Sequence, residues 1–79
     1  MIDMKALGKN LSECRQKKGL TQEVLSGLAD VDRSHLSKIE LGLMNPTIDT
    51  LYKITDTLEI RLSDILRKAE DETSNHENE

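Results

Sequence analysis

Seventy-nine residues, 35% of them apolar and 33% charged, are enough for one small domain. One Tyr and no Phe or Trp leave Leu, Ile, Val and Ala to fill the core, which suits packed helices better than a sheet sandwich. The net charge of −4 argues against a broadly basic surface, yet all eleven Lys and Arg lie within residues 1–68, which are close to neutral, while 69–79 (AEDETSNHENE) hold five acids and no base.

The first helix is predicted from about Met4 to Lys17. Leu7, Leu11 and Cys14 recur on one face at four- and three-residue steps, and Gly19 ends it. Lys9, Arg15, Lys17 and Lys18 form a modest basic cluster on this helix and its end. Thr21 is an N-cap for a second helix, Gln22 to about Ala29. Asp30-Val31 is a tight turn, and Asp32 caps a third helix. Val31 before that cap and Leu36 after it suit a hydrophobic staple. Leu36 and Ile39 make the inward stripe of helix three, and Gly42 sits where a helix closes in the left-handed conformation. Asn45-Pro46 breaks the chain. Thr47 caps helix four, about Ile48 to Leu58, with Leu51, Ile54 and Leu58 inward. A short fifth helix, about Leu62 to Lys68, carries Leu62, Ile65 and Leu66. Residues 70–79 hold no apolar side chain and are expected to be a disordered acidic tail behind a domain of residues 1–69.

The outward residues of helix three are Arg33, Ser34, His35, Ser37 and Lys38. Nothing inside a helix requires that polar set, whereas a helix entering a DNA major groove does. From spacing alone a plain αα-hairpin in a small bundle is an equal alternative.

Six segments tip the balance: L-x-x-x-L-x-x-C-R at 7–15, K-G-L-T-Q at 18–22, L-S-x-x-A at 25–29, L-S-K-I-E-x-G at 36–42, N-P-T at 45–47 and L-x-x-I-x-x-x-L at 51–58. In this order residues 7–66 resemble the Cro/phage-repressor-type (XRE) helix-turn-helix family, whose compact members include controller proteins and repressors. The resemblance implies an all-α, five-helix, lambda-repressor-like DNA-binding domain acting as a homodimer on double-stranded DNA. It places Arg33, Ser34, Ser37 and Lys38 at the bases, where Arg and Lys suit the paired acceptors of guanine. It places Gln22 on a phosphate, bracing the reading helix; Thr21, His35, Lys18, Asn45 and Thr47 complete the backbone set. Arg15 and Glu40 resemble a family pair that ties helix one to the end of helix three. At Cys14 the family usually carries an aliphatic residue, so buried packing is expected there. Leu58, Ile60, Leu62, Ile65 and Leu66 are too many apolar residues for one small core and are assigned to the dimer surface, with Ile65 and Leu66 pointing about 100° apart so that only one of the two faces the partner.

Three departures matter. Asp30 stands where the family turn usually has Gly, Arg61 replaces a common Ser cap, and Leu41, Leu43 and Met44 are apolar where basic or polar residues are common. The last group opens a rival reading, a protein-interaction module that acts on a protein partner. No metal site, cofactor or catalytic grouping is expected: His35 and His76 are too few and too far apart, and no nucleophile or carboxylate pair has a supporting context. No apolar run approaches the twenty residues a membrane span needs, the first ten residues lack the apolar core of a signal peptide, and a single Cys fits a reducing cytoplasm.

Overall fold

The computed structural model describes residues 2–77 of the backbone. It contains five helices: α1 Met4–Lys17, α2 Gln22–Ala29, α3 Arg33–Glu40, α4 Ile48–Thr57 and α5 Leu62–Glu77. Side-chain oxygens start the first four. Asp3 accepts from the Lys5 N–H, Thr21 from Val24, Asp32 from Ser34 and His35, and Thr47 from Thr50. All four also end alike. The residue after the last helical turn is left-handed, and two backbone N–H groups fold back on the closing carbonyls; at α1 these are Gly19 to Gln16 and Leu20 to Arg15. Gly19 and Gly42 adopt this geometry freely, whereas Asp30 and Glu59 adopt it at the cost that any Cβ incurs there.

The helices close a ring of contacts. The α1 helix packs on α3 with one side and on α5 with the other; α2 bridges α3 and α4, and α4 meets α5. Inside lie Leu7, Leu11, Leu25, Ala29, Leu36, Ile39, Leu51, Ile54, Leu58, Leu62, Ile65 and Ala69. Burying this aliphatic surface is the main force that folds the chain.

Two expectations are corrected. Leu58, Leu62 and Ile65 are at most 7% exposed, so they belong to the protomer core and cannot form a dimer surface. Leu58 thereby keeps the inward place it has on helix four, and of Ile65 and Leu66 it is Ile65 that fills the core while Leu66 stays partly exposed. The α5 stripe that turns inward is 62, 65 and 69, which leaves only Ile60 and Leu66 of the five partly exposed. The fifth helix also does not stop near Lys68. It continues through Glu77, across most of the segment expected to be disordered. Ala69 is fully buried, and Thr73 Oγ1 donates to the Ala69 carbonyl while accepting from the Asp3 N–H. With no Gly or Pro to interrupt it, the acidic run adds helical turns without needing apolar residues. Residues 78 and 79 lie outside the described residues.

Candidate nucleic-acid interface

Helix α3 is buried along Leu36, Ile39 and Glu40 and open on the opposite side. Arg33, Ser34, Ser37 and Lys38 share one shallow hollow of about 270 Å³ on that open side. His35 is half-buried beside them. Ser34 is tied back to the helix cap: its hydroxyl donates to the Asp32 carboxylate, which also accepts the Ser34 and His35 N–H groups. The Ser34 hydroxyl bond, foremost, together with the His35 N–H holds the Asp32 carboxyl below its ordinary range, so it stays charged. With its hydrogen engaged, Ser34 presents only lone pairs to whatever approaches, while Arg33 and Lys38 present only donors.

The other end of α3 is clamped. Glu40 accepts from Arg15 Nε at 2.8 Å, from Arg15 Nη2 at 3.0 Å and from Gln22 Nε2 at 3.0 Å, and Arg15 Nη1 donates to the Leu20 carbonyl at 2.8 Å. The Arg15 and Glu40 side chains are 12% and 5% exposed, so each charge depends on the other. Gln22 thereby ties the start of α2 to the end of α3, and its amide has a second hydrogen that this bond does not use. A second hollow, about 390 Å³, is bordered by Arg15, Thr21, Gln22, Glu23 and Arg33, at the start of α2 where free N–H groups and the dipole favour an anion.

The remaining backbone candidates are spread out. Thr21 and Thr47 use their hydroxyls as caps. Asn45 is exposed in the α3–α4 loop. Lys18 leans toward Glu59 beyond the end of α4, at 3.5 Å, and does not join the α3 face. Cys14 is half-buried rather than fully packed and lines a cleft with Ile60 and Ile65. Leu41 and Leu43 are 61% and 71% exposed, and Met44 is half-buried.

Sequence reasoning missed two residues. Asp32 was read only as a cap, yet it also fixes the hydrogen-bonding sense of Ser34; an acid two residues before a Ser at a helix start is the signal for it. Gly8 is buried where α1 crosses the end of α3, and a Cβ there would lie 2.3 Å from the Ile39 carbonyl oxygen. A Gly inside an otherwise regular helix was its only trace, since helices tolerate Gly at a cost and usually keep it for a reason.

A helix-turn-helix family model matches residues 11–65. The chain belongs to the helix-turn-helix family. The XRE-type resemblance is therefore correct, and the family is a class of regulators rather than enzymes. The chain is 40% identical over 58 residues to an uncharacterized HTH-type transcriptional regulator, y4dJ, of Sinorhizobium fredii, covering 72% of this chain and 75% of the relative. It spans a smaller share of two longer relatives, 50% of DdrOP3 of Deinococcus deserti and 35% of PuuR of Escherichia coli. Among solved structures it is similar to the restriction-modification controller protein C.AhdI from Aeromonas hydrophila (33% identity, TM-score 0.78, covering 80% of this chain and 96% of that one). It is also similar to the biofilm regulator SinR, solved in complex with DNA (33% identity, TM-score 0.74, covering 76% and 97%). Among the described residues, no helix is long and apolar enough to cross a membrane, and no group of three or more His, Cys, Asp or Glu gathers to hold a metal.

Proposed function

We propose that this chain is a sequence-specific transcriptional regulator of the cytoplasm that binds double-stranded DNA as a homodimer, with α3 in the major groove of each half of a pseudo-palindromic operator. The observation that carries this reading is the face of α3: exposed Arg33, Ser34 and Lys38 and half-buried Ser37 line one hollow on a helix whose opposite side is core and whose end is clamped. Arg33 and Lys38 read guanine through O6 and N7. Ser34, restricted to accepting, takes an exocyclic amino group of cytosine or adenine. Gln22 and the start of α2 hold a phosphate, which fixes register without selecting sequence.

One reading helix contacts too few base pairs to select a site among many competitors, and two-fold symmetry doubles them. Of the five apolar residues first assigned to a partner copy, Ile60 and Leu66 stay partly exposed, and Tyr52, which is 52% exposed, borders the same hollow as Ile60. Leu66→Lys is expected to leave a folded, monomeric domain that has lost most of its operator affinity, by sedimentation and circular dichroism. Selection of bound sequences from a random duplex pool tests the whole reading. Enrichment of a two-fold symmetric site supports it, and a pool that stays random contradicts it.

The exposure of Leu41 and Leu43 favours a second reading, in which the same fold acts on a protein partner through Leu41, Leu43 and Met44. Under that reading, Leu41→Ser with Leu43→Ser abolishes partner capture and no symmetric DNA site is selected.

A further inference from the structure

The end of α3 meets α1 backbone to backbone. A Cβ on Gly8 would sit 2.3 Å from the Ile39 oxygen, 2.6 Å from the Glu40 oxygen and 2.8 Å from the Glu40 carbonyl carbon. One turn earlier on α1, Lys5 closes on Gly42: a Cβ there would lie 2.7 Å from the Lys5 Cα and 2.9 Å from its nitrogen. Two turns later, Arg15 holds the Glu40 carboxylate. The last turn of α3 therefore rests on α1 with no side chain as spacer, and the glycine at position 8 makes that depth available.

This contact lies at one end of a lever. Ile39 and Glu40 are six residues beyond Arg33 and Ser34, roughly 9 Å along a helix that rises about 1.5 Å per residue. The opposite end of α3 follows the short turn at Asp30 and Val31 and is held by the apolar packing of Val31 and Leu36, which can shift by side-chain adjustment as the backbone contact at Gly8 cannot. Glu40 is also the residue that Gln22 grips, so the distance from the α2 start to the α3 face is set at this joint.

We propose that Gly8 is a positioning residue for DNA reading: it sets the depth and tilt at which the outer face of α3 meets the groove relative to the start of α2. This inference rests on the reading of α3 as the groove helix. A methyl group at position 8 must push backbone, not a flexible side-chain tip, so α3 moves as a body. Base contacts that need bidentate geometry are lost together, whereas phosphate contacts, which are point-like and tolerant, largely persist.

The test compares the full chain with Gly8→Ala and with Gly27→Ala, an α2 glycine with nothing within 4 Å of its would-be Cβ. Each is titrated with the operator selected by the wild type and with a random duplex, and helicity is recorded at the assay temperature. The expected result for Gly8→Ala is an operator affinity lower by about tenfold or more, the scale of one lost bidentate base contact. Random-duplex affinity should stay within about twofold, because non-specific binding depends on phosphate charge rather than base geometry. Reselection with this variant should show weaker preference at all positions read by α3 at once. Gly27→Ala should match the wild type. If Gly8→Ala alone does not fold, it is repeated in the Gly27→Ala background, which adds helix propensity. Parallel loss of both affinities, unchanged operator preference, or failure of both variants to fold would overturn the proposal, because the joint would then serve folding alone. A wild type that does not distinguish operator from random duplex would instead refute the groove-helix reading beneath it.

Discussion

The two sides of α1 are built differently. Toward α3 the buried charges are matched: Arg15 uses three nitrogens, Glu40 uses both oxygens, and the glycines bring backbone to backbone. Toward α5 the contact is mostly aliphatic and poorly matched. Asn10 is 1% exposed, and neither its amide nitrogen nor its carbonyl oxygen has a partner among the described residues. Three residues on, Glu13 reaches Lys68 of α5 only at 4.0 Å, with both side chains about half exposed. The difference shows that geometry is specified most tightly where α3 is held, while α5 is kept by burial that tolerates an orphaned amide.

Arg15→Ala gives the strongest test of that contrast. It strips Glu40 of its charge partner in a nearly dry site, and breaking such a pair costs about 3–5 kcal/mol. For a domain this size each kcal/mol lowers the melting temperature by about 4–8 °C. A thermal melt should therefore fall by well over ten degrees, roughly, on that scale. A fall of only a few degrees would mean that the α3 joint is no tighter than the α5 one.

Two glycines sharpen the comparison by having opposite signs. Gly8→Ala should destabilise by about 1–3 kcal/mol, because overpacking against backbone outweighs the gain in helix propensity. Gly27→Ala, in open space on a regular helix, should stabilise by about 0.5–1 kcal/mol. Denaturant midpoints for the pair check this, and like signs would break the close-contact account of Gly8.

On the α5 side Asn10→Leu should raise stability, by about 1–3 kcal/mol, since an apolar replacement removes an unpaired buried amide. Chemical denaturation reads the change. The smallest effect belongs to Lys68→Ala, which loses a long, exposed pair and should shift stability by less than about 1 kcal/mol.

Much of this was legible in the chain. Thr21, Asp32 and Thr47 mark helix starts because their oxygens can do little else there, and Gly19 and Gly42 mark ends because a left-handed residue is needed. Glu59 in the same geometry left no such mark, since nothing in a Glu announces it. The length of α5 was hidden because an apolar period stops at Ala69 while the hydrogen-bond ladder does not. The excess of apolar residues near the end of the chain was visible, but not its division. Leu58 already lay on the inward stripe of helix four, whereas Leu62 and Ile65 turn inward because α5 packs across both α1 and α4, a tertiary fact. Asn10 and Gly8 break the local pattern of α1, and such breaks carry meaning only once the neighbour they touch is known.

The central claim is that the open face of α3 reads DNA sequence. Its most direct test is the affinity of the wild type and of Arg33→Ala for the selected operator and for a scrambled duplex, at one fixed salt concentration. The wild type is expected to prefer the operator by about a thousandfold or more. Arg33→Ala should lose about 1–3 kcal/mol on the operator, relax the preference at one symmetric pair of positions, and change the scrambled affinity little. Equal binding of the wild type to both duplexes, or equal weakening by Arg33→Ala on both, would contradict it.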